Sequence, residues 1–316
     1  MSHAGFQYVY GPVPSRRLGR SLGIDLVPFK TCTYDCIYCQ LGRTTNKTVE
    51  RKEYAAVDEI LAEIEEKLAF EPAFDYITLA GSGEPTLNNG IGDLILRIKS
   101  LSRIPVAVLT NGSLLWMPEV REALMGADLV LPSLDAGDKH LFQCVNRPHE
   151  DIAFEKVVEG LATFARCFTG SVWLEVFLLA GITGIQGEIE KIAALTRRIG
   201  PARVQLNTVS RPPAEEFAIA VPGDRMKRFR KLFSETVAVI DEIERGASTT
   251  LSREGATDRD ILLLLRRRPC TVRDVSSGLG LHPEDASKRL HILSQQGSVV
   301  SVRRNDVIFY EAVRQT

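Results

Sequence analysis

The sequence of 316 residues predicts an α/β protein built on a parallel sheet, followed by a small helical region that ends in a β-hairpin. Two observations lead to this prediction. From Leu22 to Thr208, short apolar runs alternate with amphipathic helical runs, as parallel strands joined by crossover helices require. After Pro213 this alternation stops, and three helical segments precede two short runs of alternating apolar and polar residues that are typical of a hairpin.

The strands and helices of the first part follow from their periodicity and length. Short apolar runs bounded by turn or polar residues predict six strands, and apolar residues at helical spacing predict five clear helices between them. Six strand–helix pairs are too few for a closed eight-stranded barrel. The predicted strands are Leu22–Leu26, Tyr76–Ala80, Val106–Thr110, Leu129–Ser133, Val172–Leu178 and Val204–Asn207. The predicted helices are Val57–Ala69, Gly90–Ser102, Met117–Met125, Ala153–Phe168 and Ile185–Ile199.

The last third of the chain has a different organisation. Pro222-Gly223 breaks the chain, Asp224–Arg245 is predicted to be a charged connecting helix, and Ser248–Ala256 resembles a linker. Three helices and a hairpin then match a winged helix-turn-helix with Asn305-Asp306 at the wing tip. We therefore predict three regions, residues 1–223, 224–251 and 252–316. The C-terminal elements are Asp258–Arg267, Thr271–Gly278, Pro283–Gln296, Ser298–Val302 and Val307–Ala312.

The composition excludes several classes of protein. The chain is 44% hydrophobic and 25% charged, as globular proteins are, and its net charge of −1 creates no field that attracts nucleic acid or a membrane surface. The longest apolar stretches, such as Val172–Ile182, are interrupted by Glu175 and are too short to span a bilayer. No charged and then apolar leader occupies Met1 to Val9, so nothing in the sequence suggests secretion.

Three cysteines lie close together near the start of the chain, at Cys32, Cys36 and Cys39, in the spacing C-x3-C-x2-C. Three thiolates can hold a [4Fe–4S] cube and leave one iron without a protein ligand. An open coordination position is typical of a reactive metal site, whereas structural sites are closed. The spacing therefore favours an iron–sulfur cluster that takes part in chemistry.

Zinc and disulfide pairing are the alternatives for these cysteines. Zinc sites usually draw two cysteine pairs or one pair with two histidines, and the first histidines after the loop, His140 and His149, lie more than 100 residues away. A disulfide is disfavoured because nothing points to an oxidising compartment. The remaining cysteines, at Cys144, Cys167 and Cys270, are scattered and are expected to be unpaired.

Polar residues follow five of the predicted strands directly. Side chains that bind ligands gather beyond the C-terminal ends of parallel strands, so these residues are expected to converge on one mouth of the sheet. They are the cysteines after the first strand, Glu84 after the second, Asn111 after the third, Ser133 and Asp135 after the fourth, and Asn207 at the end of the sixth.

The cysteine loop, with Tyr38 just before Cys39, resembles the radical S-adenosylmethionine (SAM) superfamily. Five further segments agree with this resemblance, and together they are most similar to the branch that contains the wyosine tRNA-modifying synthases. The chain departs from that branch in two ways, since no cysteine precedes Cys32 to hold a second cluster and a winged helix is added. The matching segments are Gly11–Gly19, Ala80–Leu87, Thr110–Ser113, Ser133–Ala136 and Asn207–Pro213.

The resemblance implies a partial (β/α)6 TIM-like barrel and an enzyme. It implies a [4Fe–4S] cluster on Cys32, Cys36 and Cys39, with SAM bound at the open iron. An electron from a flavodoxin- or ferredoxin-type donor then cleaves SAM to a 5′-deoxyadenosyl radical. Such a cluster needs a reducing environment, so the expected location is the cytoplasm. The substrate is left open between tRNA and protein.

The resemblance also implies which residues contact SAM. Gly83, with Gly81, allows the backbone to approach a ligand closely, and Glu84 can accept from the methionyl ammonium. The neutral side chains of Asn111 and Ser133 suit the carboxylate or the ribose of SAM. Three further residues have a second interpretation. Tyr38 either flanks the adenine or packs in the core, Asp135 either contacts the ribose or is a solvated turn residue, and Asn207 either contacts ligand or caps a strand.

Basic residues raise two further possibilities. Arg16, Arg17 and Arg20 either bind a phosphate or carboxylate of the substrate or form a surface charge run. From Ser252 to Thr316 there are eleven Lys or Arg against eight Asp or Glu, which is weakly basic for a DNA-binding module.

The partner of the winged helix is therefore open between nucleic acid and protein. Its presumed recognition helix, around Ser287–His291, carries Lys288 and Arg289, and the wing carries Arg303 and Arg304. The alternative function is an iron–sulfur redox-sensing regulator that binds DNA. It is disfavoured because a sensor needs neither Glu84 nor the other polar residues at the strand ends.

Overall fold

A computed structural model describes residues 6–15, 17–70, 74–233, 236–240, 256–304 and 306–313. In this part of the chain there are twelve strands and ten helices. The strands are β1 (Val9–Ser15), β2 (Gly19–Asp25), β3 (Thr31–Cys32), β4 (Asn46–Lys47), β5 (Tyr76–Ala80), β6 (Val106–Leu109), β7 (Leu129–Leu131), β8 (Ser171–Leu178), β9 (Arg203–Thr208), β10 (Val237–Val239), β11 (Val299–Arg304) and β12 (Val307–Ala312).

The helices lie between and after these strands, and a 3₁₀ turn covers Pro85–Leu87. They are α1 (Val57–Phe70), α2 (Ile91–Leu101), α3 (Pro118–Leu124), α4 (Lys139–Val145), α5 (Phe154–Cys167), α6 (Gln186–Ile199), α7 (Gly223–Arg230), α8 (Asp258–Arg267), α9 (Val272–Leu279) and α10 (Pro283–Gln295).

One large sheet organises the N-terminal part, with strand order β1-β2-β5-β6-β7-β8-β9-β10. Strand β1 is antiparallel to β2, and every other neighbouring pair is parallel. The predicted α/β class and parallel sheet are therefore confirmed. Within the described ranges β1 and β10 do not pair, so the sheet is open there, and the TIM-like barrel stays a prediction.

The sheet has two different faces, as strand β8 shows. Its residues alternate strictly in burial, and Leu174 and Val176 pack with the helices in the main core. Trp173 lies on the opposite, inner face, where it packs with Leu129 and Leu131. Leu18, at the tip of the β1–β2 hairpin, joins this inner cluster. The hairpin therefore fills part of the inner face with apolar side chains.

The C-terminal module, residues 256–304 and 306–313, has a core of its own. Thr257 and Thr271 each begin a helix with a capping box, and Gly280 ends α9 with a φ of 64°. Helices α8 and α9 contact β1, so the module packs against the edge of the large sheet. Its core consists of Ala256, Ile261, Leu264, Leu265, Cys270, Val275, Leu279, Ala286, Leu290, Leu293, Val299 and Ala312.

The prediction of a single connecting helix over Asp224–Arg245 is wrong. Helix α7 ends at Arg230, and Val237–Val239 forms a strand parallel to β9. Phe229, Phe233 and Val237 recur at helical spacing, which explains the prediction, but pairing with the edge of the sheet overrides that local pattern. The sheet thus continues beyond residue 223, the predicted end of the first region.

Other differences are small. Strand β1 was not predicted, although it completes the edge of the sheet beside β2. Several predictions fall outside the described residues, namely Arg16, Asn305 of the wing tip, residues 234–235 and 241–245 of the connecting helix and all of the linker except Ala256. None of the helices described is long and apolar enough to cross a membrane.

Candidate active site

The cysteine loop, Cys32–Cys39, follows β2 and is tied to the loop that follows β5. The backbone N–H of Lys30 donates to the Ser82 carbonyl at 2.7 Å, and that of Glu84 donates to the Thr31 carbonyl at 3.1 Å. Because β2 and β5 are parallel neighbours, their C-terminal ends meet at one edge. The sheet topology therefore brings the cysteines and Glu84 together, as expected from the sequence.

Each of the three cysteine sulfurs has a nitrogen donor from a residue outside the Cys32–Cys39 loop. Such N–H donors accompany thiolates that bind iron–sulfur clusters, because they stabilise the negative charge on sulfur. The Nζ of Lys30 lies 3.2 Å from the Sγ of Cys39, the Nδ2 of Asn111 lies 3.6 Å from the Sγ of Cys32, and the Nδ2 of Asn146 lies 3.6 Å from the Sγ of Cys36.

Burial shifts two of the three thiols towards their neutral form. Burial raises the pKa of Cys32 to about 12, and burial and then Asp135 raise the pKa of Cys36 well above its usual range. Coordination to a cation is what deprotonates such thiols. No three His, Cys, Asp or Glu in the described ranges converge as one metal ion requires, whereas cysteines on a cube bind separate irons.

Glu84 is almost fully buried, with 1% of its surface exposed. Burial raises the pKa of its carboxyl, and the hydrogen bonds that it accepts oppose this rise. The carboxylate joins the loop after β5 to the end of β6, so it serves first as a structural hub of the site. Its donors are Thr86 N at 3.1 Å, Thr86 Oγ1 at 2.5 Å, Thr110 Oγ1 at 2.6 Å and Asn111 N at 2.7 Å.

Asn111 continues this network to the cysteine loop. Its side-chain amide donates to Thr33 Oγ1 at 2.7 Å, while its Oδ1 accepts from the N–H of Ser113 at 2.9 Å. The same side chain is the donor to Cys32, so one residue links the end of β6 to the cysteine loop. The expectation that Asn111 contacts SAM stays a prediction.

The Gly81–Gly83 loop lies against the protein's own backbone. A Cβ on Gly83 would stand 1.9 Å from the carbonyl oxygen of Thr31, and one on Gly81, whose φ is +114°, would stand 1.8 Å from Oδ1 of Asp25. Only glycine fits at these two positions. The close approach that the structure shows is therefore between the loop and the segment that precedes Cys32, and the approach of this loop to a ligand stays a prediction.

Tyr38 and Asp135 form a second group beside the cysteine loop. The Tyr38 ring stacks on Phe177 with centroids 4.1 Å apart, and its hydroxyl donates to Asp135. Asp135 also accepts from Asn146 Nδ2 at 2.8 Å and from the N–H of Phe177 at 3.1 Å. Only 3% of Asp135 is exposed, so its interpretation as a solvated turn residue is wrong.

The Asp135 carboxyl gives a pH-dependent prediction. Burial raises its pKa to about 6, against roughly 3.9 in the unfolded chain. A raised folded-state pKa means stability that is full below about pH 4 and is lost as the pH rises through about 6. Between pH 4 and pH 8 the unfolding free energy of the wild type should therefore fall by about 3 kcal/mol, and that of Asp135→Asn should not show this fall.

Urea unfolding of the metal-free protein at several pH values tests this. Asp306→Asn is the control, because the side chain of Asp306 is 94% exposed. Parallel pH profiles for the wild type and Asp135→Asn would contradict the prediction.

Ser133 and Asn207 lie around Glu175 on β8. Ser133 forms a backbone bridge with Glu175, and Asn207 Nδ2 donates to its Oε1 at 2.9 Å. The guanidinium of Arg17 pairs with the same carboxylate, and both side chains are mostly buried. The interpretation of Arg17 as part of a surface charge run is therefore wrong. The guanidinium of Arg20 lies elsewhere, 5.6 Å from the ring centroid of Phe74.

Three residues of the site were not predicted, namely Glu175, Lys30 and Asn146. Glu175 had a signal, because it is the charge that interrupts the apolar run Val172–Leu178. Lys30 and Asn146 had none, since ordinary loop positions give no sign of a contact with sulfur.

Comparison with known proteins agrees with this geometry. A family model described as the radical SAM superfamily matches residues 26–218, more than half of the chain. A UPF0026 protein of Helicobacter pylori is 32% identical over 98% of this chain and 99% of its own. A protein of Brachyspira hyodysenteriae named GTPase Obg is 42% identical over 96% of this chain. The chain spans only 45% of that relative's length.

A solved structure supports the fold alone. A radical SAM methyltransferase from Sphaerobacter thermophilus superposes with a TM-score of 0.52 and 18% identity, covering 72% of this chain and 68% of its own. Members of the matched superfamily use a [4Fe–4S] cluster and SAM, and the three thiols with their N–H donors fit that cofactor set. The chain belongs to the radical SAM superfamily.

Proposed function

We propose that this protein is a radical SAM enzyme whose Cys32, Cys36 and Cys39 hold a [4Fe–4S] cluster with one iron open to SAM. The observation that carries the proposal is the set of three thiols at the C-terminal edge of the sheet, each with its own N–H donor. When bound, cluster and SAM together supply a one-electron reductive cleavage that yields a 5′-deoxyadenosyl radical, which abstracts hydrogen from substrate.

The chain's own residues bind and orient the cluster and SAM, and they shield the site from water. Lys30, Asn111 and Asn146 stabilise the thiolates and tune the cluster's reduction potential. Glu84 holds the loops after β5 and β6 at a fixed distance from the cysteine loop. The residues proposed to contact SAM remain those expected from the sequence: Tyr38, Gly83, Glu84, Asn111, Ser133, Asp135 and Asn207.

The inner face of the sheet can exclude water from a reactive radical. Leu18 and Trp173 pack in its apolar cluster, and Tyr38 stacks on Phe177. Arg17 and Glu175 also form an ion pair on this face.

Lys30→Met should make the reduction potential of the cluster more negative. The ammonium of Lys30 lies 3.2 Å from the Sγ of Cys39, so it stabilises the reduced cluster, which carries the extra electron. We expect a shift of roughly 60 mV, which corresponds to about 1.4 kcal/mol for one electron. A redox titration followed by electron paramagnetic resonance measures it.

Lys47→Met is the matched control, because exposed Lys47 donates to the carbonyls of Arg147 and Pro148. An equal shift in both variants, or a positive shift in Lys30→Met, would contradict the assignment of Lys30.

We further propose that residues 252–316 form a winged helix-turn-helix and that the substrate is a macromolecule, tRNA or protein, as in the wyosine-like branch. Two basic residues of the hairpin face protein groups. Arg303 pairs with Asp306 at 3.1 Å, and Arg304 lies 3.5 Å from the carbonyls of Glu216 and Ala218. The contacts of Arg304 with the N-terminal part favour a module that acts together with the catalytic domain over one that binds DNA independently.

Product formation tests the proposed function. Reduced, reconstituted protein is incubated with SAM, and 5′-deoxyadenosine is measured by chromatography. Formation of this product is expected, and none from protein with a full complement of iron would overturn the enzyme proposal and favour a regulator. Mass shifts in RNA or polypeptide that co-purifies with the protein then identify the substrate class.

A further inference from the structure

A buried ion pair joins the C-terminal module to the end of β2. The Nε of Arg267, in α8, lies 2.8 Å from Oδ2 of Asp25, and the two side chains are only 11% and 10% exposed. The guanidinium also lies 4.2 Å from the ring centroid of Tyr10, and its Nη2 donates to the carbonyl of Gln7 at 3.2 Å. Arg267 is therefore held by three groups of the N-terminal part.

Asp25 uses its remaining acceptor capacity on the Gly81–Gly83 loop. Its Oδ1 accepts from the backbone N–H of Ser82 at 2.5 Å, and its Oδ2 accepts from the Ser82 hydroxyl at 3.1 Å. Gly81 passes so close to this carboxylate that no side chain fits there. The Asp25 carboxylate thus helps to fix the position of the loop.

The loop in turn contacts both parts of the proposed SAM site. The Ser82 carbonyl accepts from the N–H of Lys30, and Thr31, next to Cys32, accepts from the N–H of Glu84. A displacement of Ser82 would therefore reach the cysteine loop and Glu84 through backbone hydrogen bonds. Asp25 and Arg267 are 242 residues apart in sequence. The contact between Arg267 and Asp25 therefore exists only when the C-terminal module is docked.

The buried carboxylate of Asp25 needs the positive charge of Arg267 beside it. Burial opposes ionisation of Asp25, and Arg267 is the strongest of the groups that favour its charged form. A buried carboxylate that loses its cation must move towards water, take up a proton or destabilise its surroundings. Each of these responses disturbs the acceptors of Ser82.

We propose that Arg267 is a positioning residue for SAM binding. Docking of the C-terminal module holds Asp25, Asp25 holds the Gly81–Gly83 loop, and the loop completes the site for SAM. Module docking and SAM affinity are therefore coupled. This inference rests on the proposed function, since it takes the Gly81–Gly83 loop and Glu84 as part of the SAM site.

Equilibrium binding of SAM to reconstituted protein tests the coupling. Arg267→Met should raise the dissociation constant for SAM roughly tenfold, within the range usual for coupled sites, with iron content unchanged. Arg273→Met, at an exposed position of α9 in the same module, should leave it unchanged. In turnover experiments Arg267→Met should mainly raise KM for SAM, whereas a loss of folded protein would lower kcat alone.

A double variant keeps the test decisive if Arg267→Met folds poorly. Asp25→Asn with Arg267→Met leaves no unpaired buried charge, and the asparagine oxygen can still accept from Ser82. SAM affinity should return to within about threefold of wild type, as a double-mutant cycle between contacting residues predicts.

Wild-type affinity in Arg267→Met, or an undiminished loss in the double variant, would overturn the inference. Failure of the wild type itself to bind SAM would instead overturn the proposed function.

Discussion

Cys36→Ala is expected to lose the cluster and to lower formation of 5′-deoxyadenosine more than about a hundredfold. Loss of a residue that only supports a metal ligand costs about 10- to 100-fold, so loss of a ligand should cost more. Two thiolates cannot hold three irons of the cube, and the donor group of Asn146 at 3.6 Å would lose its acceptor. Iron content and visible absorbance report the loss of the cluster, and product formation reports the loss of activity.

Cys144→Ala is the matched control for this variant. Cys144 is an exposed free cysteine in α4, outside the cysteine loop, and its replacement should leave iron content and product formation unchanged. A Cys36→Ala protein that kept the wild-type absorbance would show that Cys36 is not a ligand.

Glu84→Gln should lower SAM cleavage about a hundredfold and destabilise the fold. The carboxylate accepts from Thr86, Thr110 and Asn111. An amide nitrogen would place a donor against these donors in either rotamer, at a cost of about 1–3 kcal/mol for each buried group left unsatisfied. Displacement of the loop after β5 by about 1 Å is enough to cost the hundredfold in rate.

Thermal unfolding and turnover with saturating SAM measure the two effects of this substitution. Glu53→Gln, on an exposed loop residue, removes the same charge without touching the network. Wild-type turnover in Glu84→Gln would show that Glu84 is neither a hub of the site nor a contact of SAM.

Much of the fold could be predicted because its elements carry strong local signals. Strand Tyr76–Ala80 and helix Asp258–Arg267 occur with the predicted bounds, since apolar periodicity and caps define both. Strand Val237–Val239 could not be predicted, because its apolar residues fit a helix equally well. Pairing with β9 decides between the two, and that is a long-range interaction.

The candidate site likewise has one part that the sequence predicts and another part that depends on long-range contacts. Cys32 and Glu84 follow predicted strands, so parallel topology alone brings them to one edge. The contacts of Asn146 with Cys36 and of Arg267 with Asp25 span 110 and 242 residues. Such contacts depend on packing of whole elements, which no local pattern encodes. The burial of Asp135 and Arg17 likewise depends on the neighbouring strands.

The central claim is that the three cysteines leave one iron open and that SAM occupies it. Electron–nuclear double resonance on the reduced protein with SAM labelled with ¹⁵N and ¹⁷O in its methionyl group tests this directly. Coupling of the labelled amino nitrogen and carboxylate oxygen to the cluster is expected. A fully loaded, reduced cluster that binds SAM without any such coupling would contradict the account.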